Sequence, residues 1–253
     1  MKLRGLLREW IIPEELPFLS LSEEIPPPIQ RALFRRNLRT VKEVHNYFYP
    51  DPNNFLPIEQ LPDVERALSL LHESIVRGHF IFVVGDYDVD GTVSAALLGS
   101  FFRAVGHTGF HLHLPDRFKE GYGVSDYAVE LALSMGSSLF IAVDCGTKDA
   151  PRLQRLKKAG LRVIVLDHHA IGEGEKMPDV DAFVNPQRPD SSYPNRYLSA
   201  GALTYKLLRA YQERYGQPES WEGIDLAAIS ILSDIMPLVG ENRVIVYSGL
   251  EVM

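Results

Sequence analysis

From residue 61 onward, segments with apolar residues at helical spacing alternate with short, uninterrupted apolar runs. Such runs are typical of parallel strands that are covered by helices on both faces of a sheet. Alternating strands and helices in turn predict right-handed βαβ units. The sequence therefore predicts an α/β fold with a parallel sheet of about five strands and helices on both faces. The predicted strands are 80–84, 110–114, 139–143, 161–166 and 182–184, and the predicted helices are 65–78, 91–106, 125–136, 150–160, 198–216 and 225–236.

Residues 1–60 differ from the rest because they are rich in proline and carry no strong period. The segments PPPIQ at 26–30 and PDPNN at 50–54 predict turns or extended chain. Between them, residues 29–48 predict one or two short helices. We expect residues 1–60 to form an arm that packs on the main body, and residues 61–253 to form that main body as one domain.

Composition narrows the class of protein. The 253 residues are 45% apolar and 23% charged, as in an ordinary globular protein that needs no disulfide or structural metal to fold. The single cysteine, Cys145, cannot form an internal disulfide, which favours a reducing cytoplasm. The longest apolar runs are about five residues, far short of a membrane span. A net charge of −7 argues against a basic domain that coats nucleic acid.

Ionisable residues follow three of the predicted strands. The strand at 80–84 leads into Asp86, Asp88 and Asp90, the strand at 139–143 into Asp144, and the strand at 161–166 into Asp167-His168-His169. Ligands of parallel sheets bind at the carboxyl ends of the strands, so we expect these residues to gather on one rim.

Three carboxylates at alternate positions of an extended chain would point the same way and repel one another unless cations hold them together. Carboxylates with added imidazole suit Mg²⁺ or Mn²⁺, whereas the lack of thiolates argues against a structural zinc site. Gly91 would let the chain turn into the next helix, whose amino terminus could face a phosphate.

Each cluster taken alone also fits a simpler interpretation. An Asp-x-Asp-x-Asp segment is often a solvated turn, and Asp-His-His is often a helix cap or a surface loop. Their combination at successive strand ends favours a metal site. Asp234 lies in an apolar helix and is a further candidate, with solvent exposure or a pair with Arg243 as the alternative. For His111 and His113, a half-exposed edge strand explains the pattern better than a second metal site.

Four segments resemble, in order, the motifs of the DHH phosphoesterase family. Four further segments resemble the branch of that family that degrades single-stranded DNA. The likeness runs from about residue 30 to the end of the chain. The family motifs are 85–91, 143–146, 166–169 and 233–238, and the segments of the branch are 116–123, 184–189, 198–201 and 240–243.

The resemblance implies two Mn²⁺ or Mg²⁺ ions and hydrolysis of phosphodiesters from the 5′ end of single-stranded DNA, in DNA repair and recombination. It implies metal binding by Asp88, Asp90, Asp144, His168 and Asp234, with Asp86 as a ligand or a support and Asp144 as the bridge. It also implies that Asp144, Asp167 and His169 are catalytic, that His169 contacts the scissile phosphate or orients a ligand, and that Arg117 holds a phosphate oxygen. The alternative for Arg117 is an exposed side chain in a glycine loop.

Departures from the family pattern affect two motifs. Cys145 stands where many relatives carry asparagine, and Ile231 and Leu232 stand where a smaller or hydroxyl residue is expected. The branch also continues into a second domain that closes over the DNA. We therefore expect this chain to be a fragment that lacks the carboxyl-terminal DNA-clamping domain.

Three functions remain open at this point. The first is the exonuclease on single-stranded DNA, with single-strand-binding and recombination proteins as partners and no membrane. The second is a phosphoesterase that acts on short oligonucleotides, cyclic dinucleotides or pyrophosphate. The third is a non-enzymatic scaffold of the same fold, against which the costly crowding of like charges argues.

Overall fold

A computed structural model describes residues 2–4, 9–11, 25–51, 55–172, 174–216, 218 and 221–253, with the backbone alone at 2–4 and 9–11. The chain divides into two units, Met1–Asp51 and Pro52–Met253. Within the described residues, no helix combines the length and the apolar character that crossing a membrane requires.

The first unit contains a short β-ladder and two helices. Strands β1 (Lys2–Arg4) and β2 (Glu9–Ile11) pair in antiparallel fashion, which the sequence did not predict because this stretch lacks a strong period. Helices α1 (Pro27–Arg35) and α2 (Val41–Phe48) lie where short helices were predicted.

Two local signals set the ends of these helices. The proline run predicted as turn or extended chain instead opens α1, because proline is well suited to the first helical turn, where its missing N–H is not needed. Helix α2 begins at a capping box between Thr40 and Glu43. The second predicted turn, at 50–54, falls largely outside the described residues. The packing of an arm on the main body stays a prediction.

The second unit is built on one parallel sheet with the order β4-β3-β5-β6-β7. The predicted α/β class, the five strands and their parallel direction are confirmed. The strands are β3 (Ile81–Gly85), β4 (Phe110–His113), β5 (Leu139–Val143), β6 (Arg162–Leu166) and β7 (Ala182–Val184).

Seven α-helices of the described residues belong to this unit, and a 3₁₀ turn at Ile58–Gln60 precedes them. The last of these helices begins at Gly240, after the last helix that the sequence predicted. The helices are α3 (Val64–Val76), α4 (Val89–Ala104), α5 (Asp126–Ser134), α6 (Ala150–Lys158), α7 (Ala200–Tyr215), α8 (Ile224–Ser233) and α9 (Gly240–Val252).

Alternate residues of the strands enter two separate cores. Val83 and Ile141 pack with residues of α3, α4 and α7–α9 on one face of the sheet. Phe82 and Phe140 pack with residues of α5 and α6 on the other face. Both faces are therefore covered, which explains why the strand sequences show no polar alternation.

The register places the ends of the three central strands at one level. Gly85 of β3 pairs with Val143 of β5, which in turn pairs with Leu166 of β6. The segments that follow these strands therefore leave the same edge side by side. Asp144 directly follows β5, the middle strand of the three, as predicted.

Candidate metal centre

The turn after β3 depends on a close approach between its two ends. A Cβ atom on Gly91 would lie 2.4 Å from the backbone nitrogen of Asp86, so no larger residue fits there. Asp88 is the N-cap of α4 and accepts the N–H of Gly91 at 3.0 Å. Since α4 begins at Val89, Asp90 lies in a helical turn. The expectation that Asp86, Asp88 and Asp90 share one extended face is therefore wrong.

Instead, the acidic residues of this turn separate into two groups. Asp90 joins His168 and Asp234 in what we call the inner cluster, whereas Asp86 and Asp88 join Asp144 in the outer cluster. A third group of Asp144, His168 and His169 links the two. In each group, one ligand atom per residue lies within 4.8 Å of the others.

His168 stands at the centre of the contacts between the clusters. Its Nε2 atom lies 3.2 Å from Asp144 Oδ1, 3.4 Å from Asp234 Oδ2 and 3.5 Å from Asp90 Oδ2. The structure thus brings together all six predicted metal ligands, although their roles as ligands stay a prediction.

Three buried ligand atoms of these clusters lack a hydrogen-bond partner: Asp86 Oδ1, Asp144 Oδ1 and His168 Nε2. Although the last two are 3.2 Å apart, their geometry is not that of a hydrogen bond. A buried polar atom without a partner is costly, and a cation bound between the clusters would satisfy all three. Oxygen donors with one imidazole are the set that Mn²⁺ and Mg²⁺ accept, so the residues fit the predicted ions.

The electrostatics of the clusters support the same conclusion. Burial, followed by the charges of Asp90 and Asp88, raises the pKa of Asp144 to about 11. Burial also raises the pKa of Asp90 and of Asp86 above the usual range. With such a pKa, the Asp144 carboxyl group is neutral near pH 7 unless a cation favours the charged form.

Asp90 is held by two other helices. Its carboxylate accepts the backbone N–H groups of Ala200 and Gly201, both at 2.8 Å, at the amino terminus of α7. It also accepts the hydroxyl of Ser230 on α8 at 2.5 Å. A Cβ atom on Gly201 would lie 2.5 Å from Ser230 Oγ, so glycine is needed for this approach.

Sequence reasoning missed this set of donors. Residues 198–201 were noted for their resemblance to the family, but no role was assigned to them. The available signal was Ser199, an N-cap residue before a helical segment, because a helix amino terminus attracts a carboxylate. Ser230 carried no signal in the sequence, since its contact depends on how α8 packs beside α4.

Asp167 fixes the two histidines that follow it. Its Oδ1 accepts the backbone N–H of His168 at 2.7 Å and lies 2.7 Å from His169 Nδ1, and its Oδ2 accepts the N–H of Thr147. Burial alone would raise the pKa of Asp167, but the bonds from His169 and Thr147 outweigh it and hold that pKa well below the usual range. The same hydrogen bond raises the pKa of His169.

The other ring nitrogen of His169 faces the exposed rim. Its Nε2 lies 2.8 Å from the hydroxyl of Tyr122, and the imidazole is about 39% exposed. His169 is therefore accessible from solvent, whereas Asp167 is buried behind it. This position agrees with contact to a bound phosphate, which stays a prediction.

Two residues of the rim adopt left-handed backbone conformations without being glycine. Asp144 has φ 59°, and Ile235, directly after Asp234, has φ 53°. A β-branched residue rarely adopts this conformation, and such strain is concentrated at functional sites. Asp234 itself caps the carboxyl end of α8 and is partly exposed.

Arg117 lies outside the three ligand groups, on the loop after β4. Its guanidinium group is exposed and sits 5.4 Å from the ring centre of Tyr87. Tyr87 in turn meets the ring of Tyr122 edge-on at 6.5 Å. Arg117 therefore borders the rim near His169, and its contact with phosphate stays a prediction.

The loop that carries Arg117 is held by one carboxylate. Glu120 accepts the backbone N–H of Asp116 at 3.0 Å and the hydroxyl of Ser125 at 2.6 Å, and it lies 2.9 Å from His113 Nε2. His113 lies on edge strand β4, half-buried as expected together with His111. The acidic partner of His113 was missed because it comes seven residues later.

Comparison with known proteins gives consistent matches over this region. The model of the DHH family, N-terminal domain, matches residues 80–231. The single-stranded-DNA-specific exonuclease RecJ of Salmonella typhimurium is 31% identical over 91% of this chain and 41% of its own length. The chain spans about two fifths of the length of the first curated relatives that it matches.

Solved structures show the same likeness. A crystal structure of RecJ from Thermus thermophilus in complex with Mn²⁺ matches with a TM-score of 0.72 and 32% identity, over 90% of this chain and 31% of that one. A crystal structure of exonuclease RecJ bound to manganese matches with a TM-score of 0.68 and 37% identity, over 76% of this chain and 48% of that one. With its parallel sheet, its clustered motifs and a family match over more than half its length, the chain belongs to the DHH family.

Proposed function

We propose that this chain is the catalytic part of a Mn²⁺- or Mg²⁺-dependent exonuclease that hydrolyses single-stranded DNA from its 5′ end. The observation that carries the proposal is the convergence of the inner and outer clusters on Asp144 and His168, with unpaired ligand atoms on both residues. The RecJ relatives, named as exonucleases specific for single-stranded DNA and crystallised with Mn²⁺, support the choice of substrate and ion.

Two ions would be held by the two clusters. Asp90, His168 and Asp234 would hold one, Asp86 and Asp88 would hold the other, and Asp144 would serve both. Bound there, the ions would supply an activated water and stabilise the charge that develops on the phosphate.

The residues around the clusters then position the substrate. Asp167 keeps a proton on His169 Nδ1 and orients the ring, so that Nε2 faces the rim. A phosphate that approaches His169 would replace Tyr122 as the partner of this atom. Arg117, on its anchored loop, would hold a second phosphate oxygen by paired hydrogen bonds.

In the cell, this activity would serve DNA repair and recombination in the cytoplasm, with single-strand-binding and recombination proteins as partners. The rival functions are hydrolysis of short oligonucleotides, cyclic dinucleotides or pyrophosphate, and a scaffold without activity. The same residues would hold the ions in every enzymatic alternative, so substrates must decide.

The test is a Mn²⁺-dependent assay on 5′-labelled single-stranded DNA, duplex DNA, a dinucleotide, a cyclic dinucleotide and pyrophosphate. We expect release of short products from the 5′ end of the single strand, loss of activity with EDTA, and loss in Asp144→Asn. Asp179→Asn serves as the control, because Asp179 is exposed and pairs with Lys157 away from the clusters. Hydrolysis of only the cyclic dinucleotide or pyrophosphate, or no metal-dependent hydrolysis at all, would contradict the proposal.

A further inference from the structure

The two units of the chain differ in the sign of their charge. Residues 1–51 contain eight basic and seven acidic residues, and the basic excess lies in residues 25–51, which contain five basic and two acidic ones. Residues 52–253 contain 18 basic and 26 acidic residues. A catalytic unit with a net charge of −8 repels a polyanion, and two divalent cations would offset only half of that charge. Attraction of a long nucleic acid strand therefore calls for a surface outside the catalytic unit.

Three basic residues of the first unit lie on exposed faces of its two helices. Arg31 and Arg35 are one turn apart on α1, while Leu33 faces the small core of this unit. Lys42 is exposed on α2, and Tyr49 is exposed at the cap that directly follows this helix. We call the helices α1 and α2 the basic helix pair, with the exposed residues Arg31, Arg35, Lys42 and Tyr49.

The part of the chain that the structure describes offers these cations no ion-pair partner. Among the described residues, Arg31, Arg35 and Lys42 have no carboxylate within ion-pair distance. The neighbouring acid, Glu43, instead accepts the backbone N–H groups of Arg39 and Thr40 at the start of α2. Like charges one helical turn apart repel each other, and here no partner inside the described chain relieves that repulsion.

An exposed aromatic ring accompanies the cations. Tyr49 is 65% exposed, and its ring centre lies 5.2 Å from that of His45, in the last turn of α2. Exposed cations beside an exposed aromatic ring are what a protein needs to bind phosphates and stack a base of a single strand. An acidic peptide would use the cations but would leave the ring without a role.

We propose that the basic helix pair binds the sugar–phosphate backbone of a single DNA strand, with Tyr49 stacking on a base. This inference rests on the proposed function for the identity of the polyanion. It assigns to the first unit the retention of long strands, whereas the metal clusters of the second unit act on any strand end that reaches them.

The test compares two triple variants of the full chain with equal changes in charge. Arg31→Gln, Arg35→Gln and Lys42→Gln alter the basic helix pair. Arg66→Gln, Lys158→Gln and Lys176→Gln form the control, since these three are exposed residues of the second unit and have no ion pair among the described residues. Binding of a fluorescent 30-nucleotide single strand is measured in EDTA over a series of salt concentrations, and thermal melting checks that both variants fold.

We expect the first variant to bind at least tenfold more weakly at low salt, and its slope of log affinity against log salt to be smaller by roughly two units, as for three lost phosphate contacts. Tyr49→Leu should weaken binding several-fold without changing that slope. Mn²⁺-dependent hydrolysis of a dinucleotide should stay within twofold of the wild type in both variants, since a dinucleotide is too short to need the basic helix pair.

Equal loss of affinity in the two triple variants would overturn the inference, because it would indicate a general effect of charge. Unchanged binding of the 30-nucleotide strand in the first variant would overturn it as well. Failure of the proposed function shows separately, as absence of Mn²⁺-dependent hydrolysis by the wild type in the dinucleotide and single-strand assays.

Discussion

The inner and outer clusters hold the same kind of carboxylate in different ways. In the inner cluster, Asp90 is buried and its two oxygens accept three hydrogen bonds from α7 and α8. In the outer cluster, Asp88 is exposed and uses its carboxylate to cap α4, while Asp86 leaves a buried oxygen without a hydrogen-bond partner. The inner cluster is therefore arranged by the fold before any cation binds.

This difference follows from where each cluster comes from in the chain. The outer cluster is built by one short turn and the end of β5, whereas the inner cluster needs α4, β6, α7 and α8 to pack together. Donors on separate packed helices hold a carboxylate rigidly, which favours tight and specific metal binding. We therefore expect the inner cluster to bind Mn²⁺ more tightly than the outer cluster.

The largest effect is expected at the residue that the clusters share. Asp144→Asn removes one charge next to both cations, so we expect hydrolysis of single-stranded DNA to fall by about 10³-fold or more. Isothermal titration with Mn²⁺ should show both binding steps weakened. Asp88→Asn is the comparison, and it should weaken one step alone. Two unchanged binding steps in Asp144→Asn would contradict its position between the ions.

The next effect concerns the hydroxyl that holds Asp90. Ser230→Ala removes the donor at 2.5 Å, and we expect the tighter Mn²⁺ step to weaken by about 10–100-fold, as is usual for partners of metal ligands. Ser233→Ala, on the same helix, removes a hydroxyl that only donates to the carbonyl of Ser230, and it should change affinity less than twofold. If the weaker step alone responded to Ser230→Ala, our assignment of the tighter site would be wrong.

A smaller effect is expected from the glycine beside Asp90. Gly201→Ala would place a Cβ atom 2.5 Å from Ser230 Oγ and 3.3 Å from Asp90 Oδ1, so we expect the free energy of unfolding to fall by about 1–3 kcal/mol. Gly109→Ala is the control, because its new Cβ would meet its nearest atom at an ordinary 3.7 Å. Urea unfolding of both variants measures the difference. Equal stability of the two would mean that the contact between α7 and α8 adjusts freely.

The sequence predicted the residues that directly follow strands better than the contacts that depend on packing between helices. The strand ends were predictable, because uninterrupted apolar runs fix parallel strands and their carboxyl ends share one edge. Asp144, Asp167 and His168 directly follow such ends, so the apolar pattern of the strands was enough to predict that these residues lie close together. Asp234, at the end of a separate helix, was already a candidate because its segment is apolar, and the resemblance to the DHH family grouped it with the metal ligands.

What the sequence could not predict depended on packing between helices or on where a helix begins. The turn after β3 was expected to be extended, but the cap at Asp88 starts α4 early enough to turn Asp90 away from Asp86. Ser230 and the N–H groups of Ala200 and Gly201 meet Asp90 only because α4, α7 and α8 pack against one another. Spacing along the chain carries no information about such contacts.

The smallest effect, taken per pH unit, is a pH dependence of the protein without metal. The pKa of Asp144 is raised in the folded state to about 11, whereas an aspartate in the unfolded chain titrates near 4. Between these values, folding takes up a proton at Asp144. The free energy of unfolding therefore rises as the pH falls from 8 towards 5, by at most about 1.4 kcal/mol per pH unit from this group.

The variant Asp144→Asn isolates this contribution, because its amide has the same shape and does not titrate. Asp167, whose pKa is lowered in the folded state, works in the opposite direction, but it is present in both proteins. In EDTA, we expect the melting temperature of the variant to exceed that of the wild type by a few degrees at pH 8, and the gap to narrow as the pH falls to 5. With saturating Mn²⁺, the wild type should instead be the more stable protein at pH 8, since the ions favour the charged carboxylate. A gap in EDTA that stays constant from pH 8 to pH 5 would show that Asp144 is charged in the folded protein without metal, and that the outer cluster tolerates its own repulsion.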